Sequence, residues 1–239
     1  MKIIEVSDYE DMSAQAASYF IHKIRNLPTI TLGLATGGTP KGMYMNMIED
    51  HRLHQTCYQN VTTFNLDEYI GLDDGSNHSY RTFMNDTLFQ HLNIQLSNTH
   101  FPAEEEQIEA SEFNSYDQFI KIHGGIDVQL LGIGENGHIG FNEPGASFQS
   151  RTRIVQLTDS TRQNNARYFE NLDSVPTHAI TMGIETIMNS KEIVLLASGS
   201  AKKAALSKLL EGEITEAFPA SVLHTHPCVT VFADKAALV

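Results

Sequence analysis

Two periods of apolar residues take turns along this chain. Short runs rich in β-branched and other apolar side chains read as strands, and between them lie longer stretches with apolar residues at helical spacing. The strand-like runs fall at residues 2–6, 29–35, 61–65, 126–133, 153–157, 179–182, 192–197 and 229–233. The helical stretches fall at 8–26, from 41 to about 50, from 79 to about 92, and at 111–123, 160–169 and 201–210. In the first of these, Ala17, Phe20, Ile21 and Ile24 repeat along one helical face. Ser79 can accept a hydrogen bond from a helix amide and cap the helix that follows it. Residues 66–77 carry neither period and are expected to form a loop.

Strands alternating with helices predict an α/β fold: a mostly parallel, doubly wound (Rossmann-like) sheet with helices on both faces. In such folds ligands gather at the carboxyl ends of the strands. The loops 36–40, 66–77, 133–145 and 198–202 each follow a predicted strand and are expected to meet in one crevice. The 239 residues, 41% of them hydrophobic, suit one domain over residues 1–239, because no linker, repeat or low-complexity tract divides them. A domain of this length buries roughly 70–75% of its unfolded surface and needs no staples.

Charge and cysteine content exclude several classes. A net charge of -13 makes nucleic acid an unexpected partner, since phosphate backbones call for a basic face. No apolar run approaches the roughly 20 residues that span a bilayer, and the start has no signal-peptide pattern. Cys57 and Cys228 lie far apart without metal spacing, which fits a reduced, cytoplasmic protein. In so acidic a chain, a cation in or beside a glycine-rich loop is a candidate anion ligand.

The segment 131–145, Leu-Gly-Ile-Gly-Glu-Asn-Gly-His-Ile-Gly-Phe-Asn-Glu-Pro-Gly, is the densest in chemistry. It follows an apolar strand and is too rich in glycine to be helical. His138 and Glu143 supply groups that move protons, and a carboxylate near an imidazole fixes its tautomer and raises its basicity. At Thr36-Gly37-Gly38-Thr39-Pro40 a strand turns into a helix. Glycines there let backbone N–H groups face an anion, the threonine hydroxyls add donors, and the helix end contributes roughly 0.3–1 kcal/mol per charge. The same stretch also fits a tight turn with Pro40 at the first helical position. Lys202 in Gly-Ser-Ala-Lys (199–202) opposes its helix dipole, which suggests an anionic partner, although taken alone a solvated surface lysine is the better explanation. Arg162 and Arg167 share one helix, and most helix arginines are surface residues. Asp67 and Glu68 at a strand end are either a general base with its neighbour or loop solvation. His224 and His226 can share one face of a strand, but no third ligand is evident and no metal site is expected.

Taken together, these loops resemble the glucosamine-6-phosphate deaminase family. The resemblance rests on Leu-Gly-Leu-Ala-Thr-Gly-Gly-Thr-Pro (32–40), Phe-Asn-Leu-Asp-Glu-Tyr-Ile-Gly-Leu (64–72), Gly-Ile-Gly-Glu-Asn-Gly-His-Ile-Gly-Phe-Asn-Glu-Pro (132–144) and Ser-Arg-Thr-Arg (150–153), in order over almost the whole chain. The similar 6-phosphogluconolactonases typically follow the histidine with a Ser-Leu-Phe-Pro type sequence, where this chain has Phe141-Asn-Glu-Pro144, and the Asp-Glu-Tyr segment also favours the deaminase.

The resemblance implies conversion of glucosamine 6-phosphate and water to fructose 6-phosphate and ammonia, with no metal or organic cofactor. Asp67 then matches the base that moves a proton between C2 and C1, His138 the residue that opens the sugar ring, and Glu143 its partner. Thr36, Gly37, Gly38, Thr39, Arg167 and Lys202 match a phosphate site. Many members carry Asp where this chain has Asn136; an amide can hold His138 but supplies no charge, which bears on the pH optimum. Longer members form hexamers with an allosteric site for an N-acetylated sugar phosphate. This chain ends soon after its last strand, so the expectation is a monomer or small homo-oligomer with hyperbolic kinetics. A lactonase and a non-catalytic sugar-phosphate sensor are the alternatives. The segment 144–152, joining the catalytic loop to Arg151 and Arg153, is a candidate lid.

Overall fold

The structure is a computed structural model and describes residues 1–73, 75–102 and 114–238. In chain order the elements are β1 (Lys2–Val6), α1 (Tyr9–Asn26), β2 (Ile30–Leu34), α2 (Lys41–His54), β3 (Val61–Asn65), β4 (Asp67–Ile70), α3 (Tyr80–Thr87), β5 (Thr99–His100), α4 (Asn114–Ile122), β6 (Val128–Gly132), β7 (Arg153–Gln156), α5 (Asp159–Asn165), β8 (His178–Thr181), α6 (Ile184–Met188), β9 (Glu192–Ala197), α7 (Lys203–Glu211), β10 (Val229–Asp234) and α8 (Lys235–Leu238). Seven strands form one sheet in the order β1-β10-β9-β6-β2-β3-β5. Every pairing in it is parallel, as the alternation of periods predicts.

The order of strands decides where a ligand can bind. After β2 the chain moves outward to β3 and β5, then returns to the other side of β2 for β6 and continues through β9 to β10. The winding direction therefore reverses between β2 and β6. Loops that leave those two strands diverge to opposite sides, and a crevice opens at their carboxyl ends. Both strands are buried on both faces, which explains their nearly continuous apolar runs. Gly33 on β2 leaves the room into which Gln129 of β6 packs; a Cβ there would stand 2.0 Å from the Gln129 Oε1.

The remaining three strands form a separate sheet, β4-β8-β7, with antiparallel pairing throughout. Here the structure corrects the sequence reading, which treats residues 66–77 as a loop. Two adjacent acids at the start of β4 are poor strand formers, but the chain needs only Leu66 to cross from one sheet to the other. The Leu66 N–H donates to Leu34 in the large sheet, and the Leu66 carbonyl accepts from Met182 just after β8.

Helix ends follow local chemistry. Asp8 caps α1 by accepting from the Asp11 N–H, and Ser79 caps α3 by accepting from the Thr82 N–H. Helix α3 stops at Thr87, and a 3-10 turn at Phe89–His91 follows it. The helix expected at 111–123 is described from Asn114 to Ile122; residues 111–113 lie outside the described residues. The helix expected at 160–169 is α5 followed by a 3-10 turn, Ala166–Tyr168. The one expected at 201–210 is a 3-10 turn, Ser200–Lys202, leading into α7. Short α6 and α8, and a 3-10 segment at Pro219–Thr225, carry too few turns to show a period in sequence. No described helix is long and apolar enough to cross a membrane.

Candidate active site

A cavity of about 670 Å³ opens at the point where the winding reverses. Its wall is built from the turn after β2 (Thr36, Gly37, Gly38, Thr39), from Asp67, from the turn after β6 (including Glu135, Asn136 and His138), and from Ala201 and Lys202. All four segments expected to meet contribute to this wall, the segment 66–77 through Leu66 and, at the start of β4, Asp67. Tyr80 and a fifth segment, Ser160, Thr161, Asn164, Asn165 and Arg167, complete the wall. Nothing in the sequence pattern marked that segment except Arg167. A second cavity of about 650 Å³, lined by Asp117, Lys121, Arg151 and Ser190 among others, contains none of the expected site residues.

Each loop has a local reason for its shape. Gly37 adopts φ +94°, a left-handed value that a side chain resists, so the turn after β2 needs glycine there. The Gly38 carbonyl accepts from the Tyr9 hydroxyl at 3.0 Å, which ties the turn to α1. The N-terminus of α2 carries no side-chain cap of its own; its first amides are taken instead, Lys41 N–H by the Gly38 carbonyl at 3.4 Å and Gly42 N–H by the Tyr9 hydroxyl at 2.9 Å, which hold the turn onto the helix. At the turn after β9, the Gly199 N–H and the Ser198 hydroxyl both donate to Asp234 at the end of β10. That carboxylate fixes the turn from which Lys202 reaches the cavity. Burial lowers the Lys202 ammonium below its ordinary value; Glu135 draws it back up and Arg167 pushes it further down. Two cations, Arg167 and Lys202, thus line the same cavity as the turn 36–39, an arrangement suited to a dianion.

Adjacent in sequence, Asp67 and Glu68 have different surroundings, as strand alternation requires. Glu68 accepts N–H bonds from Tyr69, Tyr80 and Arg81 at 2.8–2.9 Å. It anchors the start of α3 and is not free for chemistry. Asp67 is 7% exposed and lines the cavity. Burial, with the Glu68 charge second, pushes its carboxyl up to about 8. A carboxyl with that environment holds its proton near neutral pH and ionises only as pH rises or a positive charge is brought beside it. Behind it, Thr36 hydrogen-bonds the Tyr80 hydroxyl, which donates to Tyr69 at 3.2 Å.

His138 stands at the end of a turn closed by Gly134 N–H to its own carbonyl at 2.9 Å. Its Nδ1 is 2.8 Å from Asn136 Oδ1, and Asn136 Nδ2 donates to Glu143 Oε2 at 2.7 Å. Thr161 donates to the other Glu143 oxygen at 2.6 Å. Burial acts to raise Glu143, but the imidazole and the hydrogen bonds from Thr161 and Asn136 outweigh it and bring the carboxyl down to about 2. The group is therefore a fixed negative charge beside the imidazole. Asn142, fully buried, holds this loop against the small sheet: its Nδ2 donates to the Ile139 and Met182 carbonyls, and its Oδ1 accepts from Arg153 at 2.9 Å.

Some sequence-stretch expectations do not join the site. Arg162 donates to the Leu172 and Val175 carbonyls at 3.0 Å and braces a loop. His224 and His226 lie at the end of the 3-10 segment, not on a strand. His224 contacts the Leu209 carbonyl and His226 the Ser190 carbonyl, so both act as structural partners. No group of three or more metal-binding side chains occurs among the described residues. The segment 144–152 does not line the cavity. Its Gly145 and Phe148 N–H groups donate to Glu216, and Arg151 pairs with Glu185.

Comparison with known proteins places these features in context. Residues 7–232 match the model of a family described as glucosamine-6-phosphate isomerases/6-phosphogluconolactonase. A glucosamine-6-phosphate deaminase of Halalkalibacterium halodurans is 57% identical over 100% of this chain and 97% of its own. The structure of a monomeric glucosamine-6-phosphate deaminase superposes with a TM-score of 0.95 at 50% identity, covering 99% of this chain and 98% of that one. A 6-phosphogluconolactonase from Trypanosoma cruzi superposes with a TM-score of 0.78 at 19% identity, over 99% and 95% of the two chains; that likeness is one of fold.

Proposed function

The chain belongs to the family of glucosamine-6-phosphate isomerases and 6-phosphogluconolactonases, and from that premise we propose that it is the enzyme that converts glucosamine 6-phosphate and water to fructose 6-phosphate and ammonia. The observation that carries the reading is a buried carboxyl, Asp67, in the same cavity wall as His138 and the cation pair Arg167 and Lys202. An aldose-to-ketose shift needs one carboxylate near two adjacent carbons, a second group to open the ring, and a remote anchor.

The substrate phosphate sits on the turn Thr36–Thr39 and on Arg167 and Lys202, and its binding energy orients the sugar. His138 takes the proton from O1 and delivers one to O5, which opens the ring. Glu143 supplies the negative charge that favours the imidazolium. Asp67, as the carboxylate, removes the proton from C2 and returns it to C1, leaving an imine at C2. Water adds to C2 and ammonia departs. The net change is an isomerisation coupled to hydrolytic loss of the amine.

The reading extends to a cytoplasmic monomer or small homo-oligomer with hyperbolic kinetics, supported by the likeness to a monomeric deaminase. A sigmoidal rate curve that an N-acetylated sugar phosphate straightens counts against it. A lactonase needs only a base for water attack and leaves Asp67 without a task. The deciding experiment measures ammonia and fructose 6-phosphate released by the purified protein from glucosamine 6-phosphate. Equal release of both supports the deaminase; hydrolysis of 6-phosphogluconolactone with neither product refutes it. Release of neither, with the sugar phosphate still raising the melting temperature, moves the reading to a sensor.

A further inference from the structure

Glu143 and His138 stand at ion-pair distance but make no direct hydrogen bond. Their closest approach, Oε2 to Nδ1, is 3.6 Å, beyond hydrogen-bond reach. Asn136 occupies the gap, and its two ends are not interchangeable. A carboxylate only accepts, so the amide turns its NH2 toward Glu143 at 2.7 Å. The amide oxygen then faces His138, where it is 2.8 Å from Nδ1 and also accepts the His138 backbone N–H at 3.2 Å. That oxygen only accepts as well, so the hydrogen bond requires a proton on Nδ1. The lone pair is left on Nε2.

The orientation of the amide depends on where the carboxylate is held. Glu143 Oε1 accepts from the Thr161 hydroxyl at 2.6 Å. Thr158, which caps α5, donates to the Thr161 hydroxyl at 3.0 Å and reaches Glu143 only at 3.4 Å. Thr161 is therefore the main donor that fixes the carboxylate from the far side, and its helix leads directly into the 3-10 turn carrying Arg167.

We propose that Thr161 is a positioning residue for ring opening: acting through Glu143 and Asn136, it fixes His138 as the Nδ1–H tautomer, so that Nε2 is the proton acceptor. The consequence for rate rests on the deaminase reading; the tautomer does not. Without the Thr161 hydroxyl the carboxylate loses its stronger hold on Oε1, the amide can reverse, and the imidazole can present an N–H where a lone pair is needed. The charged and titratable groups around His138 are Glu135 and Glu143 in its own loop, with Asp67, Tyr80, Arg167 and Lys202 from the other walls. Of these, Glu143 is the one that Thr161 hydrogen-bonds, so a change in tautomer on replacing Thr161 reports on the relay.

The test uses full-length protein with 15N-labelled histidine. Ring-nitrogen NMR should show His138 protonated at Nδ1 and bare at Nε2 in the parent and in Thr161→Ser. In Thr161→Val it should show a mixture of tautomers. With glucosamine 6-phosphate, the valine variant should lose about tenfold in kcat with KM changed by less than about twofold, and serine should restore the rate. Nδ1 bare in the parent, or a valine variant with full kcat, overturns the proposal. If none of the proteins releases ammonia, the deaminase reading fails, and the parent and valine tautomers still decide the relay: a fixed Nδ1–H that valine loosens supports it, and anything else overturns it.

Discussion

Replacing Asp67 by Asn tests the proposed base and its surroundings in one variant. Burial, reinforced by Glu68, pushes the carboxyl up to about 8, against roughly 3.9 in an unfolded chain. Between those values the unfolded chain has lost the Asp67 proton while the folded protein keeps it. Folding then takes up a proton, so stability falls as pH rises, by about 1.4 kcal/mol per pH unit from this group. Below about pH 4 the group is neutral in both states and contributes no slope; above about pH 8 it is charged in both and the loss is complete. Asparagine has no proton to exchange. The stability of Asp67→Asn relative to the parent should therefore grow by about 3 kcal/mol between roughly pH 5 and pH 7. Water at the cavity mouth screens the carboxyl, so about 1.5–3 kcal/mol is the expected span. Urea unfolding of both proteins at matched pH measures it. A difference that stays constant across pH would falsify the desolvation argument, because Asp67 would then ionise like a surface carboxylate. The same variant should lose roughly 10²–10⁴ in deamination rate while still binding through the phosphate site. A variant that is more stable yet inactive is the signature of a residue placed for chemistry at the expense of folding.

The pH profile offers an independent check. Because the free protein must give up the Asp67 proton before the base can act, kcat/KM should rise with pH through about 8; a fall over that range would contradict the assignment. Lys202→Ala should raise KM about tenfold and leave kcat within about twofold, since in the proposed mechanism the lysine holds only the remote phosphate; an unchanged KM removes Lys202 from the site. Gly134→Ala should fold but lose about 10² in kcat, because the new Cβ would lie 2.3 Å from the His138 ring and push it aside. Circular dichroism separates that outcome from unfolding, and full activity would show that the ring position does not matter.

The two alternating periods were sufficient to name an α/β fold, because burial on both faces forces β2 and β6 into continuous apolar runs wherever they sit in the sheet. Glycines mark positions that only glycine tolerates, such as Gly37 at φ +94°, and so the loops of the site were legible as well. Those signals are local. Whether two of them share a cavity depends on the order of strands, and sequence alone does not carry that order.

The pair Asp67 and Glu68 illustrates the limit. Both are acids at a strand end, and only the pairing of β4 with β8 turns one to the cavity and the other to three backbone amides. Arg162 and Arg167 look equivalent along one helix, until the 3-10 turn at 166–168 separates the brace from the site cation. Tyr80 and Thr161 carry no motif, and they enter the wall because α3 and α5 pack there. Sequence by itself determined the long helices, the strands of the large sheet that carry apolar runs, and the chemically able loops, since those follow from nearest-neighbour sterics and periodic burial; β4 and the short helices stayed hidden because they carry too few residues to show a period. The tertiary structure alone decided which side chains face one another, because the reversal of winding between β2 and β6 brings together residues more than a hundred positions apart.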